Sequence, residues 1–258
     1  MIFTNITCAF NELNKIDNNI FIESHNKKKK FFYASKARLN CISSLKINLD
    51  KYLKIDQQSF KKKFFCRHSK LVAPDLIGCY LIRNRIDKGL IKGMIVETEA
   101  YSQEEEACHG YNKKTPSNKV LFGEPGRFYI YRSYGIHHCL NIVTDKDNFA
   151  SGVLIRAVFI SNKNERSASG PGLVTKTFEV DNKFNSLEIL NNKCLWISKG
   201  KSYLEKKDLI QTTRIGISKA KNIKWRWYLK RSRSISKREK GDRNPNLKNS
   251  TNNLSGIT

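Results

Sequence analysis

Two pairs of β-rich segments, each joined by a short turn that contains glycine, constrain the fold of this chain more than any other feature. Residues 87–89 (Asp-Lys-Gly) separate the first pair, and residues 133–135 (Ser-Tyr-Gly) separate the second. Because glycine supplies the positive φ that tight turns require, each pair predicts an antiparallel hairpin. No helical pattern interrupts either pair, so we expect an α+β fold on a curved antiparallel sheet rather than a doubly wound parallel sheet. The predicted strands are residues 79–86, 90–98, 128–131, 136–143, 153–160 and 213–217.

Helices are predicted to flank these strands, and the second hairpin is expected to protrude from the sheet. Apolar residues between Phe60 and Ile77 recur at spacings that favour short helices, which end at Gly78. Pro171 is placed for the first turn of a further helix that continues to about Phe178.

The chain is predicted to hold one domain with an extension at each end. Its 258 residues and 39% hydrophobic content suffice for one substantial core. Residues 1–58 are rich in Asn, Lys and Ile without sustained periodicity, and we expect a poorly ordered N-terminal extension. Residues 59–238 are the predicted domain, and residues 239–258 are a predicted disordered tail of basic and polar residues.

The charge of the chain favours a polyanionic partner. Its 48 Lys and Arg against 23 Asp and Glu give a formal net charge of +25, more than solubility requires. Residues 219–258 alone carry 12 basic and 2 acidic side chains. The alternative is a compositional bias that places lysines on solvated faces. No apolar run approaches the ~20 residues of a membrane span, so no membrane partner is expected.

Seven cysteines without a C-x-x-C pair favour free thiols in a reducing compartment. We expect a cytoplasmic location, on the nucleoid of a bacterium, while an organellar or nuclear location stays open. Cys108-His109 and His137-His138-Cys139 contain zinc-ligand residue types. Adjacent residues on a strand point to opposite faces, however, so each group offers fewer ligands than its letters suggest. No metal and no cofactor is expected.

An acidic segment in this basic chain is the first candidate for a site. Glu97 and Glu99 are two residues apart on a predicted strand and share a face, while Thr98 points the other way. Two poorly solvated carboxylates this close raise each other's pKa, which is one route to a general base. Solvated acids, or salt bridges to lysines, are the alternative for an isolated pair. Tyr101 and His109 just downstream favour a site.

The tyrosines of the second hairpin are the second candidate. Tyr134 precedes Gly135 at the tip, where a large side chain projects furthest from the sheet. Projecting apolar or aromatic wedges part stacked bases through the minor groove. Tyr129 and Tyr131 alternate with Ile130, so they share a face on which a base can stack. The alternative is that these aromatic side chains fill a β core. We accept this alternative for Tyr129. The two segments together predict chemistry on a nucleic-acid base.

A series of ordered motifs resembles the alkyladenine (3-methyladenine) DNA glycosylase family. The motifs are residues 95–101 (IVETEAY), 107–109 (ACH), 129–131 (YIY), 134–141 (YGIHHCLN), 153–157 (VLIRA), 169–172 (SGPG), 213–217 (TRIGI) and 224–227 (KWRW). The similarity extends from about residue 64 to about residue 236.

The resemblance implies a monofunctional DNA glycosylase that acts as a monomer on the minor groove of double-stranded DNA. It would flip out alkylated or deaminated purines (3-methyladenine, 7-methylguanine or hypoxanthine) and hydrolyse the N-glycosidic bond, leaving an abasic site for base excision repair. In the matching motifs Glu99 is the general base, Arg156 holds the attacking water and the carboxylate, and Tyr134 fills the gap in the duplex. The residues implied to bind the flipped base are Tyr101, His109, Tyr131 and Asn141.

Two departures from the family pattern accompany the resemblance. The link from Tyr101 to His109 is one residue shorter than the family's, and Ser117 stands where the family usually has arginine. Lysines near Ser117 can supply replacement phosphate contacts, because such contacts tolerate substitution; they are Lys113, Lys114 and Lys119. The departures motivate a second hypothesis, a catalytically inactive nucleic-acid-binding protein of the same fold. A third is an RNA-directed binder related only by its β architecture.

Overall fold

The structure, a computed structural model, describes residues 60–200 and 204–242. The predicted extension at residues 1–58 lies outside the described residues, as does most of the predicted tail, and the domain boundaries stay predictions. The strands are β1 (Tyr80–Arg85), β2 (Gly89–Ser102), β3 (Phe128–Ser133), β4 (His137–Val143), β5 (Ser151–Phe159), β6 (Leu195–Ser198), β7 (Leu209–Thr212) and β8 (Arg226–Leu229). The helices are α1 (Ser69–Asp75) and α2 (Pro171–Phe178), with 3-10 turns at Lys62–Phe64, Lys119–Phe122, Asn182–Phe184 and Lys206–Asp208.

The strands form a curled antiparallel sheet in which β2 is central. The order along the sheet is β3-β4-β5-β2-β1-β6, and β8 pairs with both β2 and β7. Every one of these strand pairs is antiparallel. The expected α+β fold on a curved antiparallel sheet is therefore confirmed. Within the described ranges, no helix is both long and apolar enough to cross a membrane.

Both predicted hairpins are confirmed. In the first, β1 and β2 pair up to Arg85 opposite Gly89, which has a φ of 68°. In the second, Tyr134 and Gly135 both have positive φ, 49° and 68°, and the Ile136 N–H donates to the Ser133 carbonyl at 3.1 Å. Positive φ at both central positions is the requirement of a type I′ turn, whose twist matches that of the flanking strands.

The prediction of a strand at residues 213–217 is wrong. The strand in this region, β7, ends at Thr212, and the chain then leaves the sheet. Gly216 has a φ of 76°, and the Ile215 N–H donates to the side chain of Glu99 instead of to a neighbouring strand. Because a side chain takes the hydrogen bond that a ladder would supply, β-rich composition does not produce a strand here.

The apolar core lies on the face of β2 that α1 covers. Thr98 points to this face, where its hydroxyl donates to the Ala73 carbonyl of α1 at 2.8 Å. Val72, Ala73 and Leu76 are fully buried against the sheet. Since neighbours on a strand alternate, Glu97 and Glu99 lie on the opposite face, as predicted.

Candidate active site

Two β-bulges shape the part of β2 that carries the carboxylates. β2 has one extra residue at Val96, and β5 has one extra residue at Arg156. A bulge interrupts the ladder and re-aims the side chains around it. The Arg156 guanidinium lies between the two acids, with nitrogen–oxygen distances of 3.6 Å to Glu97 and 3.4 Å to Glu99.

Glu99 is fully buried and accepts hydrogen bonds on both carboxylate oxygens. The Ile215 N–H donates to Oε1 at 2.8 Å, and the Tyr101 hydroxyl donates to Oε2 at 2.8 Å. Arg156 Nη1 donates to Oε2 at the longer distance of 3.4 Å. The carboxylate is thus fixed in orientation by donors from three separate segments of the chain.

Burial raises the pKa of Glu99 above the 4.5 of an ordinary glutamate, and the Glu97 carboxylate adds a smaller effect in the same direction. The charge of Arg156 and the hydrogen bonds from Ile215 and Tyr101 act against this rise. The predicted effect of a neighbouring acid is therefore present at Glu99, but burial is the main cause of its raised pKa. Burial also raises the pKa of Tyr101, helped by the charge of Glu99, so the phenol keeps the proton that it donates.

Glu97 occupies a different environment from Glu99, although it is also fully buried. Arg226 Nη1 donates to its Oε1 at 2.8 Å. The Ser236 N–H and hydroxyl donate to Oε2 and Oε1 at 2.6 and 2.9 Å. The same hydroxyl accepts from Arg156 Nε at 2.9 Å. Glu97 therefore fixes Arg156 through Ser236. Both acids are buried, so the alternative of solvated carboxylates, given with the sequence, is wrong.

An aromatic cluster stands beside the carboxylate on β3 and the loop before it. The rings of Tyr129 and Tyr131 stack with centroids 5.5 Å apart and an interplanar angle of 29°, as their alternation predicts. The His109 ring lies edge-on to Tyr131 at 4.2 Å, with Nδ1 3.3 Å from the Tyr129 hydroxyl. Desolvation lowers the pKa of His109 and raises those of both tyrosines. All three rings are therefore neutral near pH 7, which suits stacking against a cationic base.

Asn141 lies in the same cross-strand row as the carboxylate. It pairs with Tyr129 on β3 and with Leu154 on β5, and Leu154 in turn pairs with Glu99. With neighbouring strands about 4.8 Å apart, the backbones at Asn141 and Glu99 are separated by about 10 Å. The buried Asn141 amide donates to the Tyr129 carbonyl at 3.1 Å, which fixes its orientation. The sheet thus places Asn141 next to Tyr129, with Leu154 between Asn141 and Glu99.

Tyr134 lies apart from this group, at the tip of the β3–β4 hairpin. Its side chain is 88% exposed, and that of neighbouring Ile136 is 69% exposed. Two large apolar side chains at the end of a two-stranded ribbon have no packing role in the described structure. The position of Tyr134 agrees with the projecting tip expected from the sequence.

A buried ion pair between Arg214 and Glu105 was missed by the sequence reasoning. Arg214 Nη1 and Nη2 donate to the two carboxylate oxygens of Glu105 at 2.6 and 2.7 Å. Nη1 also donates to the Ala100 carbonyl at 3.0 Å, and the guanidinium carbon lies 4.7 Å from the ring centroid of Tyr101. The signal in the sequence was an arginine inside the apolar run at residues 213–217.

This ion pair anchors the loop of residues 102–108. Glu105 lies on the loop, and Arg214 precedes the residue whose N–H holds Glu99. The loop is also fixed at Gln103, whose N–H donates to the Ala150 carbonyl at 2.7 Å. The loop leads to His109, whose ring contacts that of Tyr131.

The Ser117 segment is exposed, and the lysines named above are exposed around it. The Ser117 hydroxyl lies 3.0 Å from that of Thr115.

Over residues 60–200 and 204–242, no three His, Cys, Asp or Glu side chains come together as metal ligands would.

Comparison with known proteins places these residues in a family. The family model described as methylpurine-DNA glycosylase (MPG) matches residues 63–233. A protein of Trichodesmium erythraeum is 40% identical over 188 residues, which cover 66% of this chain and 94% of that protein. A protein of Carboxydothermus hydrogenoformans is 41% identical over 189 residues, covering 69% and 98%. Both carry the name "Putative 3-methyladenine DNA glycosylase". The chain therefore belongs to the methylpurine-DNA glycosylase family, which confirms the resemblance and the enzyme class, a DNA glycosylase, that it implies.

Proposed function

We propose that this chain is a monofunctional glycosylase that flips alkylated or deaminated purines out of duplex DNA and hydrolyses their N-glycosidic bond. The substrates are 3-methyladenine, 7-methylguanine and hypoxanthine, and the product is an abasic site for base excision repair. The names of the relatives support alkylated bases as substrates. The enzyme works as a monomer from the minor groove, on the nucleoid of a bacterial cytoplasm.

Glu99 is the general base in the proposed reaction, and Arg156 holds the attacking water and the carboxylate. The oxygen of a water attacks C1′ of the sugar, the bond from C1′ to the purine nitrogen breaks, and the electron pair leaves with the base. The water's proton passes to the Glu99 carboxylate. Alkylation at N3 or N7 makes the purine cationic, so it leaves as a neutral base. Hypoxanthine starts neutral, so it must take up a proton from an acid or from solvent as it leaves. The ionised carboxylate stabilises the oxocarbenium-like sugar in both cases. Glu99 cannot form a Schiff base, so the enzyme does not cleave the strand.

The aromatic cluster encloses the flipped base. Tyr101, His109 and Tyr131 supply neutral ring surfaces, and stacking of a base on such a surface stabilises it by about 1–3 kcal/mol. Asn141 excludes the exocyclic amino group of normal guanine. Tyr134 fills the gap in the duplex, which offsets part of the few kcal/mol that unstacking costs.

One observation carries the proposal: a fully buried glutamate held by a backbone N–H, a phenol and a guanidinium, beside stacked aromatic rings. Burial of such a carboxylate costs folding free energy, and a buried ionisable group with a perturbed pKa is typical of groups retained for chemistry.

The test is single-turnover release of hypoxanthine from a duplex oligonucleotide, followed by the same assay on 3-methyladenine DNA. Glu99→Gln keeps the shape of the side chain and should abolish release while preserving binding. Glu104→Gln makes the same change at a side chain that is 61% exposed, and should leave release unchanged. If the parent binds damaged and undamaged DNA equally and releases neither base, the catalytically inactive binding protein replaces this proposal.

A further inference from the structure

A cleft of about 260 Å³ lies beside residues 233–238, and Glu99 and the aromatic cluster do not line it. Its lining carries four cationic side chains and one carboxylate. We name it the cationic cleft; it consists of Arg166, Arg233, Lys237 and Arg238, with Glu165 and Ser236. None of these residues belongs to the family motifs set out above.

The arginines of the cationic cleft are held in place before any ligand binds. Arg233 Nε donates to Glu165 at 2.6 Å, Arg238 Nη1 donates to Asp242 at 2.8 Å, and Arg166 Nη1 donates to a backbone carbonyl at 3.0 Å. Glu165 and Asp242 neutralise two of the four cations, which leaves a net charge of +2. Side chains that are already ordered lose less entropy on binding, so the cleft is preorganised for an anion.

The size and shape of the cationic cleft favour a phosphate group. Pockets for drug-sized ligands measure about 300–1,000 Å³, so this cleft, just below that range, has room for a phosphate group that projects from a larger molecule. Guanidinium groups donate pairs of parallel hydrogen bonds to phosphate oxygens, and a lysine adds a point charge. A carboxylate ligand offers fewer acceptor oxygens for the same four cations.

The cleft lies next to the machinery around Glu99. Its Ser236 hydroxyl accepts from Arg156 Nε at 2.9 Å, and Arg156 Nη1 contacts Glu99 at 3.4 Å. Two hydrogen bonds therefore connect the cleft to the catalytic carboxylate. Duplex DNA carries one phosphate for every ~1.7 Å of helix axis. A strand whose flipped base lies against the aromatic cluster therefore has phosphates near the cationic cleft.

We propose that the cationic cleft binds one phosphate group. The source is the DNA backbone or a free phosphate, and the first of these rests on the proposed function. The cleft would add a fixed phosphate contact that is connected to the catalytic carboxylate through Ser236 and Arg156. It would do so without any base contact, so it serves affinity and register rather than lesion choice.

The first arm of the test measures binding of an undamaged duplex across a range of salt concentrations. Each phosphate contact contributes about 0.9 to the slope of log K against log salt. Arg166→Gln/Lys237→Gln removes two exposed cations of the cleft and should lower the slope by about 0.9. The control, Lys88→Gln/Lys92→Gln, removes the same charge at the opposite end of β2 from Glu99 and should not change the slope. Undamaged DNA keeps this result independent of base release.

The second arm measures the melting temperature of the DNA-free protein in inorganic phosphate against chloride of equal ionic strength. A ligand that binds only the folded state raises the melting temperature with its concentration. A response that the cleft variant loses and the control keeps, with an unchanged salt slope, assigns the cleft to free phosphate. A lowered slope assigns it to the DNA backbone. If cleft variant and control behave alike in both arms, the proposal is overturned, and Lys237→Gln alone repeats the test if the double variant does not fold.

Discussion

Glu105→Gln is expected to destabilise the protein strongly, because it removes one charge of a fully buried pair. The side chains of Arg214 and Glu105 are 0% and 4% exposed, and two hydrogen bonds of 2.6 and 2.7 Å join them. Breaking such a pair costs about 3–5 kcal/mol, since the remaining charge is left buried without its partner. Glutamine keeps one acceptor oxygen for Arg214, which places the expected loss near the lower value. A loss of about 3 kcal/mol is a large part of the 5–15 kcal/mol by which domains are typically stable.

Urea unfolding followed by tryptophan fluorescence measures this loss, and the chain supplies a matched control. Glu106 is the next residue and pairs with Lys219 at 3.9 Å, with side chains 52% and 63% exposed. Glu106→Gln should change the free energy of unfolding by less than about 1 kcal/mol. With a urea dependence of about 1–3 kcal/mol/M, Glu105→Gln should shift the midpoint by about 1–3 M. Equal midpoints for the two variants would refute the reasoning that the ion pair anchors the loop.

Four further predictions concern base release, the stability of the Glu99 variant and DNA binding. Base release should fall as the pH drops through the raised pKa of Glu99, above 4.5, because the carboxylate must be ionised to accept a proton; a pH profile of single-turnover rates checks this. Glu99→Gln should increase the free energy of unfolding at neutral pH and lose that gain below about pH 4.5, since a raised pKa in the folded state favours the protonated form; urea titrations at both pH values decide it. Tyr134→Ala should slow release from duplex DNA more than from single strands, which parallel assays compare. Removing residues 243–258, which include Arg243 and Lys248 but no acidic residue, should weaken binding to undamaged DNA and flatten its salt dependence while sparing single-turnover release, and an unchanged slope contradicts this.

Local patterns were enough to predict the hairpins and the aromatic face. Positive φ at Gly135 and the alternation of Tyr129 with Tyr131 depend on neighbouring residues only. The partners of the two acids could not be predicted in this way, because Ile215, Arg226 and Ser236 are 116, 129 and 139 residues away from them. Residues 213–217 were predicted as a strand for the same reason: their hydrogen bonds go to side chains that local composition does not reveal.

These distant partners also distinguish two carboxylates that look alike in the sequence. Glu97 has cations on two sides, with Arg226 at 2.8 Å and Arg156 at 3.6 Å. Glu99 has one cation at 3.4 Å, and its two short hydrogen bonds come from neutral donors. Neutral donors compensate the charge of a carboxylate less than a cation does, so Glu99 keeps more of the negative potential that a water proton or a cationic sugar would meet. The segment that supplies Ser236 and Arg226 therefore makes Glu97 a structural ion, and leaves Glu99 as the base that the proposed hydrolysis requires.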